Sequence, residues 1–246
     1  MKIKRTHDDF YLNENKEKKP KDYFYFILSL LEKDFRLSKQ NSTKLKKISV
    51  VDIGCATGDF AHFLLKKYPK LDYLGLDTNQ KLIEKAKKDL HGYKFQKGDV
   101  IKLDKTKKQF DIVCLLAVHS IWDEFEIWLN NIVNLTKTGG RAYIFGLFNP
   151  EKLDVLVKIR KSNKNFKNNH WESGWNMWSI NTISQYLDKK KINFKFHRWD
   201  ISKNLPKKKD PLRSYTQKLS NKKYQLITGA QIIYNLHALV IEGKKK

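Results

Sequence analysis

Apolar residues recur along this chain in two rhythms. From Asp22 to about Leu37, Phe24, Ile27, Leu28 and Leu31 fall at helical spacing, which predicts one amphipathic helix. Ile48 to Ile53 is instead a short run rich in β-branched residues, the mark of a buried strand. From there the chain alternates. Leu71–Leu76, Tyr93–Gln96, Phe110–Leu116 and Arg141–Leu147 read as strands. Thr57–Tyr68, Asn79–Leu90 and Trp122–Leu135 read as the helices between them. Such alternation predicts an α/β fold, a mostly parallel sheet with helices on both faces. After Pro150 the pattern changes. It predicts a helix over Glu151–Lys161, an aromatic loop to Trp178, a helix from about Ser179 and a strand over Asn193–Trp199. A hairpin Ser214–Leu219/Tyr224–Thr228 follows, then a last strand, Ala238–Glu242. A single domain results, with residues 1–47 as an N-terminal helical cap, 48–150 as a core and 151–246 as later helices, hairpin and closing strands.

Composition narrows the class. The 246 residues carry 50 Lys+Arg against 26 Asp+Glu, a formal charge of +24, yet 13% aromatics argue against a disordered chain. No apolar run reaches the ~20 residues of a membrane-spanning helix, and no secretory leader is evident. Two cysteines, Cys55 and Cys114, make no disulfide framework and no zinc spacing. A cytoplasmic protein without metal or membrane partner is expected. The charge alone would suit a nucleic-acid binder. It is almost entirely lysine spread along the whole chain, whereas base and phosphate readers favour the donor fork of arginine.

The most informative stretch is Asp52-Ile53-Gly54-Cys55-Ala56-Thr57-Gly58, directly after the first strand. Small residues at 54, 56 and 58 let the backbone turn tightly and a ligand approach it. The spacing is not the G-x-G-x-x-G of dinucleotide binders, which disfavours NAD. Asp77 ends the second strand, where a carboxylate can accept from both ribose hydroxyls of an adenosine.

With Gly98-Asp99-Val100 after the third strand, the fourth strand Phe110–Leu116 and the turn Leu135–Arg141, these motifs resemble the class I S-adenosylmethionine-dependent methyltransferases over about Ile48–Pro150. The resemblance implies a Rossmann-like seven-stranded sheet whose last strand runs antiparallel. It implies S-adenosylmethionine as cofactor, held by Asp52, Gly54, Cys55, Ala56, Gly58, Asp77, Thr78, Asp99, Val100 and Ala117. Family members that methylate base amino groups carry Asp or Asn followed by Pro-Pro after the fourth strand. Ala117-Val118-His119-Ser120 stands here instead, and no carboxylate set for a metal accompanies it.

His119 is the candidate catalytic residue, an imidazole able to take a proton at neutral pH; capping or packing is the competing role. Tyr11, Trp122, Trp175, Trp178, Arg213 and Tyr215 are the candidate acceptor-binding residues, aromatics for a dry pocket and one arginine for an anion. The expected function is metal-independent methyl transfer to a small anionic metabolite or surface-glycan precursor, at oxygen before nitrogen. An RNA methyltransferase and a non-catalytic methyltransferase-like binding subunit are the alternatives. The oligomeric state is not legible.

Overall fold

The computed structural model describes residues 8–13, 20–39, 42–45, 47–102, 108–160, 170–207, 214–221, 223–227, 232–233 and 236–243. The chain falls into two compact units. The first comprises residues 1–116, 126–143 and 241–246; the second comprises 117–125 and 144–240. One main sheet carries the order β3-β2-β1-β4-β5-β13-β9, with β8 beside β5. It is mostly parallel, and its last strand is antiparallel.

In the first unit, a 3-10 turn Asp8–Asn13 precedes α1 (Asp22–Phe35). The residues that predicted α1, Phe24, Ile27, Leu28 and Leu31, are all buried, together with Leu30. It stops where Arg36 turns left-handed (φ 49°). A single turn, α2 (Ser42–Leu45), leads to β1 (Ser49–Ile53), buried along its whole length. Then come α3 (Asp59–Lys67), β2 (Asp72–Asp77), α4 (Gln80–Asp89), β3 (Lys94–Lys97) and β4 (Phe110–Leu116). Asn79 caps α4 by accepting from the Lys81 N–H at 3.0 Å. Helix α5 (Phe125–Leu135) begins at Phe125, the end of the second unit's first segment, and buries Trp128, Leu129 and Ile132.

β1 pairs in parallel with β2 on one side and β4 on the other. The strand order therefore reverses between β1 and β4, and such a switch point opens a crevice at the carboxyl ends. The amino ends are closed by a polar knot. Ser49 Oγ and Lys137 Nζ both donate to Asp111, at 2.6 and 2.8 Å. Burial opposes the charge on Asp111, but the bonds from Lys137 and Ser49 hold its carboxyl below the usual range.

β5 (Thr136–Asn149) runs through both units. It begins at Thr136, so the expected turn Leu135–Arg141 is largely strand; Gly140 lies there against the backbone of Phe110 and Asp111. The second unit adds β6 (Lys158–Ile159) paired with β7 (Glu172–Ser173), and β8 (Trp178–Ser179) parallel to β5. Helix α6 (Ile180–Lys189) is capped by Ser179, whose Oγ accepts from the Thr182 N–H at 2.9 Å. β9 (Phe194–Trp199) follows, then the expected hairpin as β10 (Tyr215–Lys218) and β11 (Tyr224–Ile227). An unforeseen β12 (Ile232–Ile233) joins the hairpin, and β13 (Leu236–Glu242) is the last strand.

The helix expected over Glu151–Lys161 does not form over its described residues, 151–160. Asn149 bonds locally to Leu153 and Glu151, and Val155 exchanges backbone bonds of 2.9 Å with Met177. Leu153 and Leu156 stay exposed, so a helix there would have had no face to bury.

Candidate functional site: the carboxyl edge of the parallel strands

The turn after β1 is built from three left-handed residues at alternate positions: Gly54 (φ 73°), Ala56 (φ 49°) and Gly58 (φ 86°). Gly58 is required twice over, because a side chain there would be strained and its Cβ would lie 2.8 Å from Leu90 and 3.2 Å from Phe95. Ala56 holds a conformation that L-residues rarely adopt, which is sustained by surrounding bonds. Its N–H donates to Asp77 Oδ2 at 3.0 Å, while Asp77 Oδ1 accepts from Asn79 at 2.8 Å. The N–H groups of Gly54 and Cys55 donate to the Leu76 carbonyl, and that of Gly58 to the Cys55 carbonyl.

Four amides of the turn are thus engaged inside the protein, the opposite of a phosphate cradle. Three carboxylates surround them in a chain of high positive charge. Asp77 closes β2, and Gly98 donates to its carbonyl at 2.9 Å, which sets Asp99 beside it. Asp99 Oδ1 accepts from the Ile101 N–H at 3.1 Å. Buried Asn131 of α5 donates to the Val100 carbonyl at 2.6 Å and fixes that peptide. Asp52 is buried beneath the turn and accepts from the Tyr73 hydroxyl at 2.7 Å. Burial pushes its carboxyl up to about 7; the tyrosine works against this and the Asp77 charge adds to it. Burial also pushes the Cys55 and Cys114 thiols up, so neither is a ready thiolate.

This donor set fits S-adenosylmethionine, which brings a sulfonium, an ammonium and a ribose diol. The half-buried carboxylates of Asp77 and Asp99 suit all three, and they would repel a pyrophosphate. Gly54, Ala56, Asp77 and Asp99 are half-buried and Thr78 is exposed. The structure brings together every expected cofactor residue from Asp52 to Val100. Ala117 begins the second unit directly after β4; it is exposed, left-handed (φ 60°), and donates to the Phe145 carbonyl at 2.7 Å.

His119 is fully buried. Its Nε2 lies 3.0 Å from the Leu147 carbonyl, and since a carbonyl only accepts, the neutral ring carries its proton on Nε2. The ring stacks on Phe148 with centroids 4.5 Å apart. Burial pulls its pKa down to about 4. That corrects the expectation of a base exposed to an acceptor: as placed, the imidazole is neutral at pH 7 and out of reach.

A pH dependence follows. The unfolded histidine takes up a proton near 6.5 and the folded one near 4, so stability is full above the first value and falls as the pH drops toward the second. The difference amounts to about 3 kcal/mol. Asp52 runs the other way, its contribution being lost as the pH rises from 3.8 toward about 7. The comparison is therefore with His119→Phe, which leaves Asp52 in place. Urea midpoints should show the stability of the native protein falling relative to the variant between pH 7.5 and 5. A constant difference would contradict the burial argument.

Among the expected acceptor residues, Trp178 is buried against Phe125 (4.9 Å), and Trp175 packs on a cluster of Leu147, Met177, Ile201 and Leu226. Trp178 is therefore a packing group, while Trp175 is only half-buried. Trp122 and Tyr215 remain half-buried, and Lys207 lies over the Tyr215 ring at 5.5 Å. Tyr11 belongs to the first unit, 6.0 Å from the Lys21 ammonium. Arg213 lies outside the described residues. Asn131 and Asn176 were missed. α5 carries three asparagines, Asn130, Asn131 and Asn134, and nothing in the sequence singles out Asn131; nothing singles out Asn176 either.

Fold and site together define a class I methyltransferase architecture, and comparison with known proteins agrees. A family model described as a methyltransferase domain matches residues 51–142, and this match, the relatives and the fold neighbours support a class I S-adenosylmethionine-dependent methyltransferase. A demethylmenaquinone methyltransferase of Thermotoga maritima is 31% identical over 45% of this chain and 48% of its own. A malonyl-[acyl-carrier protein] O-methyltransferase of Priestia megaterium is 24% identical over 68% of this chain and 63% of its own. The chain thus spans about half to two thirds of the length of these relatives. The sugar N-methyltransferase KedS8 from a Streptoalloteichus species shares the fold with a TM-score of 0.56 at 11% identity, covering 99% of this chain and 95% of that one. Among the described residues no helix is long and apolar enough to cross a membrane.

Proposed function

We propose that this chain transfers a methyl group from S-adenosylmethionine to a carboxylate oxygen of a small acceptor. The cofactor supplies a sulfonium-activated methyl group. Gly54 to Gly58, Asp77, Thr78, Asp99 and Val100 hold it, with Asp77 on the ribose and Ala117 at the start of the loop after β4.

The observation that carries the choice of acceptor is the state of that loop. Its titratable side chains are His119, buried and neutral, Asp123, paired with Lys158 at 3.1 Å, and Glu124, exposed where α5 begins. An alcohol or amine would need a base to take its proton. A carboxylate arrives ionised and needs alignment and exclusion of water alone. The Priestia megaterium relative is named for O-methylation of a malonyl group, which ends in a carboxylate. Trp122 and Tyr215, both half-buried, are the walls retained for the acceptor.

The test has two stages. Calorimetry with S-adenosylhomocysteine should show saturable binding. A panel of carboxylic acids with methyl-labelled cofactor should then give label that mild alkali releases as methanol, as an ester requires. Label stable to alkali would overturn the carboxylate reading. The +24 charge favours a second reading, methylation of RNA. In that case binding should fall steeply and log-linearly with salt, whereas turnover of a pocket-bound acid should change little.

A further inference from the structure

We infer that Asn176 is a positioning residue that locks the loop after β4 in its working conformation; this rests on the methyl-transfer reading above. The side chain is fully buried. Its Nδ2 donates to the Trp122 carbonyl at 2.9 Å and to Asp123 Oδ1 at 3.1 Å. Its Oδ1 accepts from the Val157 N–H at 2.8 Å, and its own backbone N–H donates to the Ser120 carbonyl at 2.9 Å. One residue thus reaches three positions of the loop, 120, 122 and 123, and anchors them to the strand-like segment at 157.

The chemistry demands an amide. Both amide hydrogens and the carbonyl are used, so no aliphatic or acidic side chain of that size can replace the set. Buried, each bond lost leaves a polar group without water. The backbone is aimed for the purpose: Trp175, one residue earlier, holds a left-handed conformation (φ 62°) costly for a bulky residue. Its ring, packed on the Leu147–Met177 cluster, holds it there. The loop after β4 is itself strained at its entry, at Ala117 (φ 60°). A segment strained at its entry and tied by a buried amide is over-determined, as a site that must hold an acceptor in line requires.

Asp123 completes the tie. It faces Lys158 as well as Asn176, and bonds from Ser173, Lys158 and Asn176 hold its carboxyl below the usual range although burial opposes this. Asn176→Asp would keep the acceptor for Val157 and set a second carboxylate against Asp123, releasing the loop while leaving the 157 side bound.

Hydrogen exchange of the peptide covering 117–123 is the direct measurement. Asn176→Ala and Asn176→Asp should each raise its exchange about 30-fold, the factor for about 2 kcal/mol of lost buried bonding. The peptide covering 49–58 should keep its native rate, and S-adenosylhomocysteine affinity should stay within about threefold. Lys158→Ala, which removes only a half-exposed ion pair, should leave the loop rate nearly unchanged. With any acid found to be turned over, the Asn176 variants should lose kcat at least tenfold with little change in the cofactor's KM. Native loop exchange in a folded Asn176 variant would overturn the inference, as would an equal rise in every peptide. If neither variant folds, Asp123→Ala, which removes one of the two side-chain ties, should still raise loop exchange about threefold; no rise would overturn the inference. Failure of the native chain to bind S-adenosylhomocysteine would instead count against the proposed function.

Discussion

Asp77→Ala should weaken S-adenosylhomocysteine binding by about 100-fold or more, roughly 3 kcal/mol. The substitution acts twice. It removes the carboxylate proposed above to hold the ribose, and it releases the Ala56 N–H that Asp77 holds at 3.0 Å, on which the left-handed turn depends. Asp77→Asn should be nearly as damaging. The two carboxylate oxygens each accept from a backbone N–H, at Ala56 and at Asn79, so an amide must turn its NH2 against one of them. Calorimetry on both variants reads this directly. Affinity within about threefold of native in Asp77→Ala would remove the residue from the site.

Gly146→Ala should cost about 3 kcal/mol and lower the melting temperature by about 6–12 °C. A Cβ at this position would run into the His119 ring, against Cε1 and 2.9 Å from Nδ1. The ring cannot yield, because Leu147 bonds its Nε2 and Phe148 stacks on its face. Gly92→Ala is the control. Gly92 is also left-handed (φ 88°), but nothing lies within 4 Å of the added Cβ, so it carries the backbone cost of about 1 kcal/mol without the clash. Differential scanning calorimetry should therefore separate the two variants clearly. Equal melting temperatures would mean that His119 has room to move.

The first half of the chain could be read closely because its signals are local. The β-branched run at 49–53, the small residues at 54, 56 and 58 and the acid at 77 each act on near neighbours in sequence or on the adjacent strand. Helix α1 buries the four residues that announced it. Beyond Pro150 the deciding partners are remote. Val155 pairs with Met177, 22 residues on, and this extended pairing prevails over the weak helical pattern of Glu151–Lys161. His119 was visible as a polar residue after β4, but its burial was not, because Leu147 and Phe148 enclose it from β5. For the same reason the loop tryptophans could be named but not divided: Trp178 is interior and Trp175 half-buried, and no feature of their spacing distinguishes them.

The place of β13 in the sheet has a consequence for how the chain is made. Leu236–Glu242 lies between β5 and β9, though both precede it on the ribosome. While the first 235 residues exist without it, β5 and β9 each present an unpaired edge. Closing the gap joins residues as far apart as Arg141 and Glu242, 101 positions in sequence. Contacts of such long range form slowly and late. The cofactor turn between β1 and β2 can be assembled early, whereas the sheet waits with an open slot for its last strand. During synthesis that slot leaves open edges, a place where a strand from another copy could insert.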